Sequence, residues 1–384
     1  MVYAHAAASD RASAVIVGVD GRSLRAGSPA RGVARYVARF LEALARDGER
    51  RDLRLRLLAF GAPSERCLPE NIEIVSTRIP SRVLYGASAI ARRPRLDRIL
   101  RKPDVVWLPA VAPVALEKRT RFVLTVHDLS FETGPRDFTR YERVWHQLAR
   151  PAELARRATF VVVPSRHTRR QILERWKLPA ERIRVIPPGP GRPPKPIPPE
   201  ADDRQALPRE VKPGAYILVV GALEPRKRPD LVRDAYRIAR RRGLQARLVF
   251  AGDGPLRADL ACDGVSLLGR VSDDTLDALY RNAMCLVCAS REEGFGFPAL
   301  EAAACGTPVV VSDIPVFSET LADTALRFPS GDAGSLAEML LRLENDRELR
   351  DAAGRAVQKA ARRLSWQRAA SDLADVFRAA VTAE

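Results

Sequence analysis

Short apolar runs alternate with amphipathic stretches along most of the chain. The continuous runs at Val15–Val19 and Tyr216–Val220 predict strands that are buried on both faces of a parallel sheet. Apolar residues at helical spacing follow the first run, at Val33, Val37, Phe40, Leu41 and Leu44. Further strands are predicted at Leu53–Phe60, Ile72–Val75, Val105–Leu108, Phe122–Val126, Phe160–Val163, Leu248–Ala251 and Ser266–Leu268. The alternation predicts an α/β protein with two doubly wound parallel sheets.

A proline-rich segment divides the two series of strands. Ten prolines lie between Pro187 and Pro213, too many for a helix or a central strand. The predicted domains are therefore residues 1–188 and 214–363, with 189–213 as a semi-rigid linker. A chain of 384 residues is long enough for each domain to bury its own core.

The charge is distributed unevenly between the two halves. The formal net charge is +17, of which residues 1–200 carry +18 and residues 201–384 carry −1. This imbalance points to an anionic partner for the N-terminal domain: a membrane surface, a lipid-phosphate acceptor or nucleic acid. Arg78–Lys102 has eight basic residues and one acidic residue, interleaved with apolar ones. It fits either a helix lying on anionic lipid or an ordinary solvated helix.

Other features of the sequence limit the choice of function. Aromatic residues make up only 6% of the chain, which disfavours a nucleic-acid binder that stacks bases. No apolar segment reaches the length of a membrane span, and the N-terminus lacks a signal-peptide pattern. Five cysteines suit a reducing compartment, and Cys285 and Cys288 lie in an apolar run that predicts a buried strand rather than a metal site. We expect a cytoplasmic location.

The stretch from Ser290 to Ser318 carries the strongest chemical pattern. Pro298 suits the first turn of a helix, and Gly306 is expected to end that helix. Glu293 precedes the predicted helix, and Glu301 is expected in its first turn. The free amides at such a helix start attract an anion, while a carboxylate on either side can accept hydrogen bonds from vicinal hydroxyls. A ligand that carries phosphate between two sets of hydroxyl groups is a sugar nucleotide.

A second basic cluster follows the strand Tyr216–Val220. Arg226, Lys227 and Arg228 stand where a helix is expected to begin, and positive charge there opposes the helix dipole. A bound anion such as a phosphate would compensate for this unfavourable charge. The guanidinium of Arg226 would donate paired hydrogen bonds to it, and Lys227 would contribute a single positive charge.

Together these residues resemble glycosyltransferase family 4. The run EGFGFPALEAAACGTPVVVSD, with Glu293 and Glu301 eight positions apart, resembles the signature of these retaining enzymes, and EPRK resembles their diphosphate-binding segment. The resemblance implies the GT-B fold: two Rossmann-like, doubly wound parallel-sheet domains that face a cleft, with the donor bound mainly by the second. It also implies that residues 364–384 form a last helix that returns to the N-terminal domain.

The resemblance also assigns roles to individual residues. In the family the first Glu contacts the donor sugar and the second contacts the ribose, so these roles fall on Glu293 and Glu301. The catalytic residues implied are His127, Glu293, Arg226 and Lys227. The donor-binding residues implied are Gly221, Arg270, Val271, Gly294, Phe295, Gly296, Phe297 and Glu301. Gly32 and Asp128 are implied on the acceptor-side loops, and Arg228 stands where the family commonly has Asn.

The expected activity is therefore a retaining transfer of a hexose from a nucleotide sugar to a glycan or lipid-linked acceptor. The resemblance implies that neither a cofactor nor a metal is needed. The chain also has no Asp-x-Asp, the usual metal-diphosphate motif of the other major glycosyltransferase fold. The variants of the motifs favour mannose carried by GDP, in cell-surface polysaccharide biosynthesis, although UDP- and dTDP-sugars stay open. The alternatives are a sugar-nucleotide epimerase of the same fold and a non-catalytic protein that binds nucleic acid or another anion. The basic N-terminal half suggests that the enzyme works peripherally on the inner face of the cell membrane.

Overall fold

The computed structural model describes residues 14–24, 32–46, 52–60, 69–191 and 203–383. Contacts within the chain define two compact units. The first is drawn from residues 1–125, 148–161 and 370–384, and the second from residues 126–147 and 162–369. Residues 192–202, in the middle of the predicted linker 189–213, lie outside the described ranges.

The first sheet has seven strands in the order β3-β2-β1-β4-β5-β6-β7. The strands are β1 Val15–Asp20, β2 Leu53–Phe60, β3 Glu73–Thr77, β4 Val105–Leu108, β5 Phe122–Thr125, β6 Phe160–Val163 and β7 Ile183–Val185. β1 pairs in parallel with β2 on one side and with β4 on the other. The strand order therefore reverses between β1 and β4, which is the kind of position where open α/β sheets bind ligands.

In the described residues, seven α-helices accompany these strands. They are α1 Gly32–Arg46, α2 Ser81–Ala91, α3 Leu96–Ile99, α4 Ser130–Thr133, α5 Arg140–Ala149, α6 Pro151–Arg157 and α7 Arg166–Trp176. In the first unit, the side chains of Tyr36, Phe40, Trp107 and Phe377 form a buried aromatic cluster. Phe377 belongs to the last helix, so the C-terminal end of the chain contributes to the core of the first unit.

The second sheet has six strands in the order β10-β9-β8-β11-β12-β13. The strands are β8 Tyr216–Val220, β9 Arg247–Ala251, β10 Val265–Gly269, β11 Cys285–Cys288, β12 Val309–Ser312 and β13 Leu326–Phe328. Successive side chains of β11 point alternately into two separate hydrophobic cores of the second unit. Cys288 belongs to one core and Cys285 to the other. This confirms that β11 is a buried strand whose two cysteines point to opposite faces.

From the start of the second sheet to residue 383, the structure describes seven further α-helices. They are α8 Pro229–Arg241, α9 Asp273–Asn282, α10 Phe297–Ala304, α11 Pro315–Leu321, α12 Ala333–Asn345, α13 Arg347–Ala361 and α14 Trp366–Thr382. The predicted fold class is confirmed, and most predicted strands agree with the observed ones to within two residues. The order of the second sheet reverses between β8 and β11, so the loops after these two strands open at its switch point.

Candidate donor site at the switch point of the second sheet

The loops after β8 and β11 are joined through their backbones. The amide nitrogen of Arg291 donates a hydrogen bond to the carbonyl oxygen of Arg226 over 3.0 Å. Arg226 and Lys227 lie in a short 3-10 helix, Pro225–Lys227, and α8 begins just beyond it at Pro229. The sequence thus places two cations at the switch point, ahead of a helix start, as predicted.

Glu293 is the centre of the charged cluster. Its Oε1 atom accepts a hydrogen bond from the Ser290 hydroxyl over 2.8 Å and pairs with the ammonium of Lys227. Its Oε2 atom lies 3.9 Å from Nη1 of Arg226. The Glu293 side chain is buried, and those of Arg226 and Lys227 are about four-fifths buried. A buried charge needs a partner of opposite charge. Here the carboxylate of Glu293 is the partner of the two cations, and they are its partners.

His127 and Asp128 follow β5 and reach the same loop. A Cβ atom placed on Gly294 would lie 2.1 Å from the carbonyl oxygen of His127, so only glycine fits where the two segments meet. The Asp128 carboxylate accepts hydrogen bonds from the amide and hydroxyl of Ser130. The structure therefore brings His127, Asp128, Arg226, Lys227, Glu293 and Gly294 together within the second unit.

The ionisation of this cluster follows from its contacts. Burial alone would raise the pKa of Glu293, but the charges of Lys227 and Arg226 and two hydrogen bonds bring it below its ordinary value. The pKa of Asp128 is also lowered, because Arg226 and the Ser130 hydrogen bonds outweigh burial. Burial would lower the pKa of Arg226, yet Glu293, Asp128 and other carboxylates raise it. Both carboxyls are therefore anions at neutral pH.

Helix α10 carries the second acid of the motif. It begins at Phe297, after Gly296 in the left-handed region (φ 82°), and Gly306 follows its end with φ 79°, as predicted for a C-terminal glycine. The prediction for Glu301 was wrong in one detail: it lies in the second turn, because the helix starts at Phe297 with Pro298 as its second residue. Glu301 is buried, and its Oε2 accepts a hydrogen bond from the Tyr280 hydroxyl over 2.7 Å.

Comparison with known proteins agrees with this geometry. Residues 30–189 match the model of Glycosyltransferase Family 4, and residues 201–360 match that of Glycosyl transferases group 1. The two matches together span most of the chain. The chain belongs to glycosyltransferase family 4.

Individual relatives and structures fit this assignment. The O-antigen chain mannosyltransferase B of Escherichia coli is 26% identical over 282 residues, which is 67% of this chain and 70% of that protein. A D-inositol 3-phosphate glycosyltransferase of Saccharomonospora viridis is 33% identical over 182 residues, 42% of each chain. The structure of a sucrose-phosphate synthase from Thermosynechococcus elongatus covers 95% of this chain and 98% of its own, with a TM-score of 0.72 at 20% identity. This last likeness shows the fold, which is GT-B.

Several contacts in this family 4 glycosyltransferase were not predicted. Arg291 pairs with Asp137, and Glu292 accepts hydrogen bonds from Thr133 and from Gln171. These contacts fasten the segment after β5 to the loop that carries Glu293. In the sequence, Arg291 and Glu292 directly precede Glu293. This position is the only feature of the sequence that could have indicated a role for them.

The backbone after β7 approaches Glu301. Gly191 lies against this carboxylate so closely that an added Cβ would be 2.1 Å from Oε1. The neighbouring Pro190 carbonyl accepts a hydrogen bond of 2.6 Å from the indole of Trp366, whose ring stacks on Phe297. Phe295 is buried in the core and Phe297 packs against it. The glycosyltransferase thus builds the surroundings of Glu301 from three separate segments.

The remaining predicted donor residues lie along the same edge of the sheet. Gly221 follows β8, and a Cβ on Gly252 would lie 1.8 Å from its carbonyl oxygen, so the loops after β8 and β9 are in close contact. Arg270 and Val271 follow β10, where Arg270 is exposed and Val271 is partly buried against the core. Gly32 is exposed at the start of α1, in the first unit. The described residues include no group of three or more His, Cys, Asp or Glu that could hold a metal ion.

Proposed function

We propose that this chain is a retaining hexosyltransferase that moves mannose from GDP-mannose to a glycan or lipid-linked acceptor without a metal ion. The observation that carries the proposal is the convergence of Arg226, Lys227 and Glu293 at the switch point of the second sheet. Mannose is favoured by the motifs and by the name of the relative from Escherichia coli.

The two cations are assigned to the leaving group. Breaking the bond between the anomeric carbon and its phosphate oxygen leaves a nucleoside diphosphate with one more negative charge on that oxygen. Arg226 and Lys227 would stabilise this charge as it develops, in a site where burial strengthens electrostatic interactions. The side chains of Arg226 and Lys227 are held in position by carboxylates of the protein. In this proposal they take the place that a metal ion would otherwise have beside the diphosphate.

The carboxylates are assigned to the sugar. Glu293 and Asp128 are anions near the cations and can accept hydrogen bonds from sugar hydroxyls. His127 lies on the same segment as Asp128, and its backbone meets Gly294. The acceptor hydroxyl would attack the anomeric carbon on the face that the diphosphate leaves, and its proton would pass to the departing phosphate oxygen. Retention follows from attack on that face, and the protein supplies no general base.

The nucleoside would lie along the edge of the sheet, away from the sugar. Glu301 is assigned to the ribose hydroxyls, with Tyr280 orienting its carboxylate. The loop after β10 lies two strands from β8, roughly 10 Å at ordinary strand spacing. That distance suits a base contacted by Arg270 and Val271, while the loop Gly294–Phe297 would border the diphosphate.

The proposed location is the cytoplasmic face of a membrane, where a lipid-linked acceptor would be available. Among the helices that the structure describes, none is long and apolar enough to cross a bilayer. Peripheral association is therefore the form of membrane binding that we propose, supported by the basic N-terminal half of the sequence.

Isothermal titration with GDP, UDP and dTDP tests the donor site directly. We expect GDP to bind, and Arg226→Gln to weaken it by about tenfold or more, since a charge-assisted contact to phosphate is lost. Arg228→Gln is the matched control, because Arg228 is two residues away and pairs with Asp230 instead. Turnover of GDP-mannose is then measured with and without a chelator, and the anomeric configuration of the product is determined.

The proposal fails if none of the three nucleotides binds, or if Arg226→Gln and Arg228→Gln behave alike. If UDP binds in place of GDP, the proposed donor site would stand, but GDP-mannose would be wrong as the donor. Loss of turnover on chelation, or an inverted product, would overturn the mechanism.

A further inference from the structure

A group of buried polar side chains lies at the end of β1 in the first unit. β1 ends at Asp20, whose side chain is completely buried, and the order of the first sheet reverses between β1 and β4. Open α/β sheets bind ligands outside the carboxyl ends of the strands at such a reversal. The donor is assigned to the corresponding point of the second sheet, so the end of β1 is a position for a different ligand.

The two oxygen atoms of the Asp20 carboxylate have different surroundings. Oδ1 accepts hydrogen bonds from the Tyr85 hydroxyl and, over 3.1 Å, from the amide of Arg22. Burial and the charge of Asp20 raise the pKa of Tyr85 well above its ordinary value, so its hydroxyl stays protonated and can donate. Oδ2 lies 3.7 Å from Nη1 of Arg22, which is an ion pair but too long for a hydrogen bond. Among the described residues, none donates a hydrogen bond to this buried oxygen.

The hydroxyl group of Ser23 is in the same situation. Its oxygen atom is buried, and no residue that the structure describes forms a hydrogen bond with it. The rest of Ser23 is partly exposed, so this side of the group borders solvent. The large majority of buried side-chain oxygens in folded proteins have a hydrogen-bond partner, which can be the protein, an ordered water or a ligand. Asp20 and Ser23 therefore offer two polar oxygen atoms to a group that can form hydrogen bonds with them.

The charge of Arg22 is already used within the protein. Its Nη2 atom donates hydrogen bonds to the carbonyls of Ala110 and Val111, after β4, over 3.0 and 2.7 Å. The guanidinium also lies over the ring of Tyr85, 5.2 Å from its centroid, and Asp20 balances its charge. A phosphate at this position would find the cation paired and would approach a buried carboxylate, which is electrostatically unfavourable. An uncharged hydroxyl group can instead donate a hydrogen bond to Asp20.

We propose that Asp20 and Ser23 bind hydroxyl groups of the acceptor, and that the part of the acceptor held at the end of β1 is an uncharged sugar. Oδ2 of Asp20 would accept a hydrogen bond from one hydroxyl, and the hydroxyl of Ser23 would pair with another. The hydrogen bonds to Oδ1 would keep the carboxylate in position while Oδ2 receives the sugar. This inference rests on the proposed glycosyltransferase activity and names the chemistry of its acceptor: the end of a glycan, whatever carrier that glycan is attached to.

Ligand-detected NMR titrations of the full chain test this site. The neutral probes are the methyl α-glycosides of mannose, glucose and galactose, and the anionic probe is mannose 6-phosphate. Each probe is titrated with and without GDP. We expect at least one neutral glycoside to bind the parent chain more tightly than mannose 6-phosphate does. Ser23→Ala should weaken its binding about fivefold and Asp20→Asn about tenfold or more, because they remove a neutral and a charge-assisted hydrogen bond respectively.

Two other buried residues of the first unit provide matched controls. Ser88→Ala removes a hydroxyl that donates to the carbonyl of Pro94 over 3.0 Å, and Asp97→Asn replaces a carboxylate that accepts from the amide of Glu117 over 3.1 Å. Both should lower the melting temperature and leave the affinity for the sugar unchanged. Ser23→Ala should do the opposite, because its hydroxyl has no hydrogen bond to lose among the described residues.

The proposal is overturned if no neutral glycoside binds, if mannose 6-phosphate binds more tightly, or if Ser23→Ala and Asp20→Asn keep the affinity of the parent chain. A Ser23→Ala variant that loses stability but keeps its affinity for the sugar would also overturn it, since that hydroxyl would then be structural. Titration of each variant with GDP alone separates this site from the donor site. Sugar binding without GDP binding would leave the hydroxyl site standing and overturn the donor, and GDP binding without sugar binding would do the reverse.

Discussion

The amide nitrogen of Arg291 and the carbonyl oxygen of Arg226 are joined by a 3.0 Å hydrogen bond. One lies after β11 and the other after β8, so this bond fixes the loop of Glu293 against the loop of the two cations. Because the contact is between backbones, it persists when a side chain is replaced. Single substitutions of the charged side chains in this cluster should therefore report on charge and packing rather than on collapse of the loops.

Glu293→Gln should destabilise the protein by about 1–3 kcal/mol at neutral pH, because Arg226 and Lys227 lose a buried anionic partner. The folded-state pKa of Glu293 lies below its ordinary value. Its contribution is therefore complete above the unfolded pKa, about 4.3, and is lost as the pH falls through the folded pKa. Urea denaturation at several pH values should show a constant difference from about pH 7 to 5 that shrinks below about pH 4.

Glu338→Gln is the control for this series, since Glu338 is largely exposed and pairs only loosely with Arg242. Its effect should stay within about 0.5 kcal/mol at every pH. A Glu293→Gln difference that grows on acidification would contradict the lowered pKa.

Gly294→Ala should cost at least about 2 kcal/mol, because its new methyl group would overlap the carbonyl oxygen of His127 and force the backbone apart. Thermal unfolding and GDP titration should both respond. Gly86→Ala is the contrasting variant: Gly86 lies inside α2 with open space around it, so alanine should stabilise by up to about 1 kcal/mol. Normal stability of Gly294→Ala would show that the two segments do not meet as described.

Tyr280→Phe removes the hydroxyl that donates to Glu301. We expect a loss of about 1 kcal/mol in stability and a threefold to tenfold weaker affinity for the nucleotide, at roughly 1 kcal/mol per hydrogen bond. Tyr236→Phe is matched, because its hydroxyl donates to the carbonyl of Gly264 away from Glu301. It should lose similar stability and keep its affinity. Equal affinities in the two variants would remove Tyr280 from the donor site.

The cysteines of β11 should resist alkylation. Burial raises the pKa of both the Cys285 and the Cys288 thiol to about 12, so almost no thiolate forms at pH 8. Cys262 and Cys305 are partly exposed. Among the four cysteines of the described residues, mass spectrometry after brief treatment with iodoacetamide should find label on Cys262 and Cys305 only. Rapid labelling of Cys288 would point to a β11 that opens readily.

The sequence was most informative where chemistry depends on residue type at the end of a strand. Arg226, Lys227 and Glu293 could be selected because charge beside a predicted helix start requires a partner. Tyr280 and Trp366 could not be selected in this way, because an aromatic residue at helical spacing normally predicts core packing. Only the folded chain brings Tyr280 to Glu301 and Trp366 to Pro190. Glu301 was misplaced by one turn because a proline fits any of the first positions of a helix.

The carboxylates that surround Arg226 and Lys227 also determine how the protein responds to ionic strength. A diphosphate that enters this cluster meets cations already neutralised by Glu293, so it exchanges one anionic partner for another and displaces few counterions. Its affinity should change little with added salt.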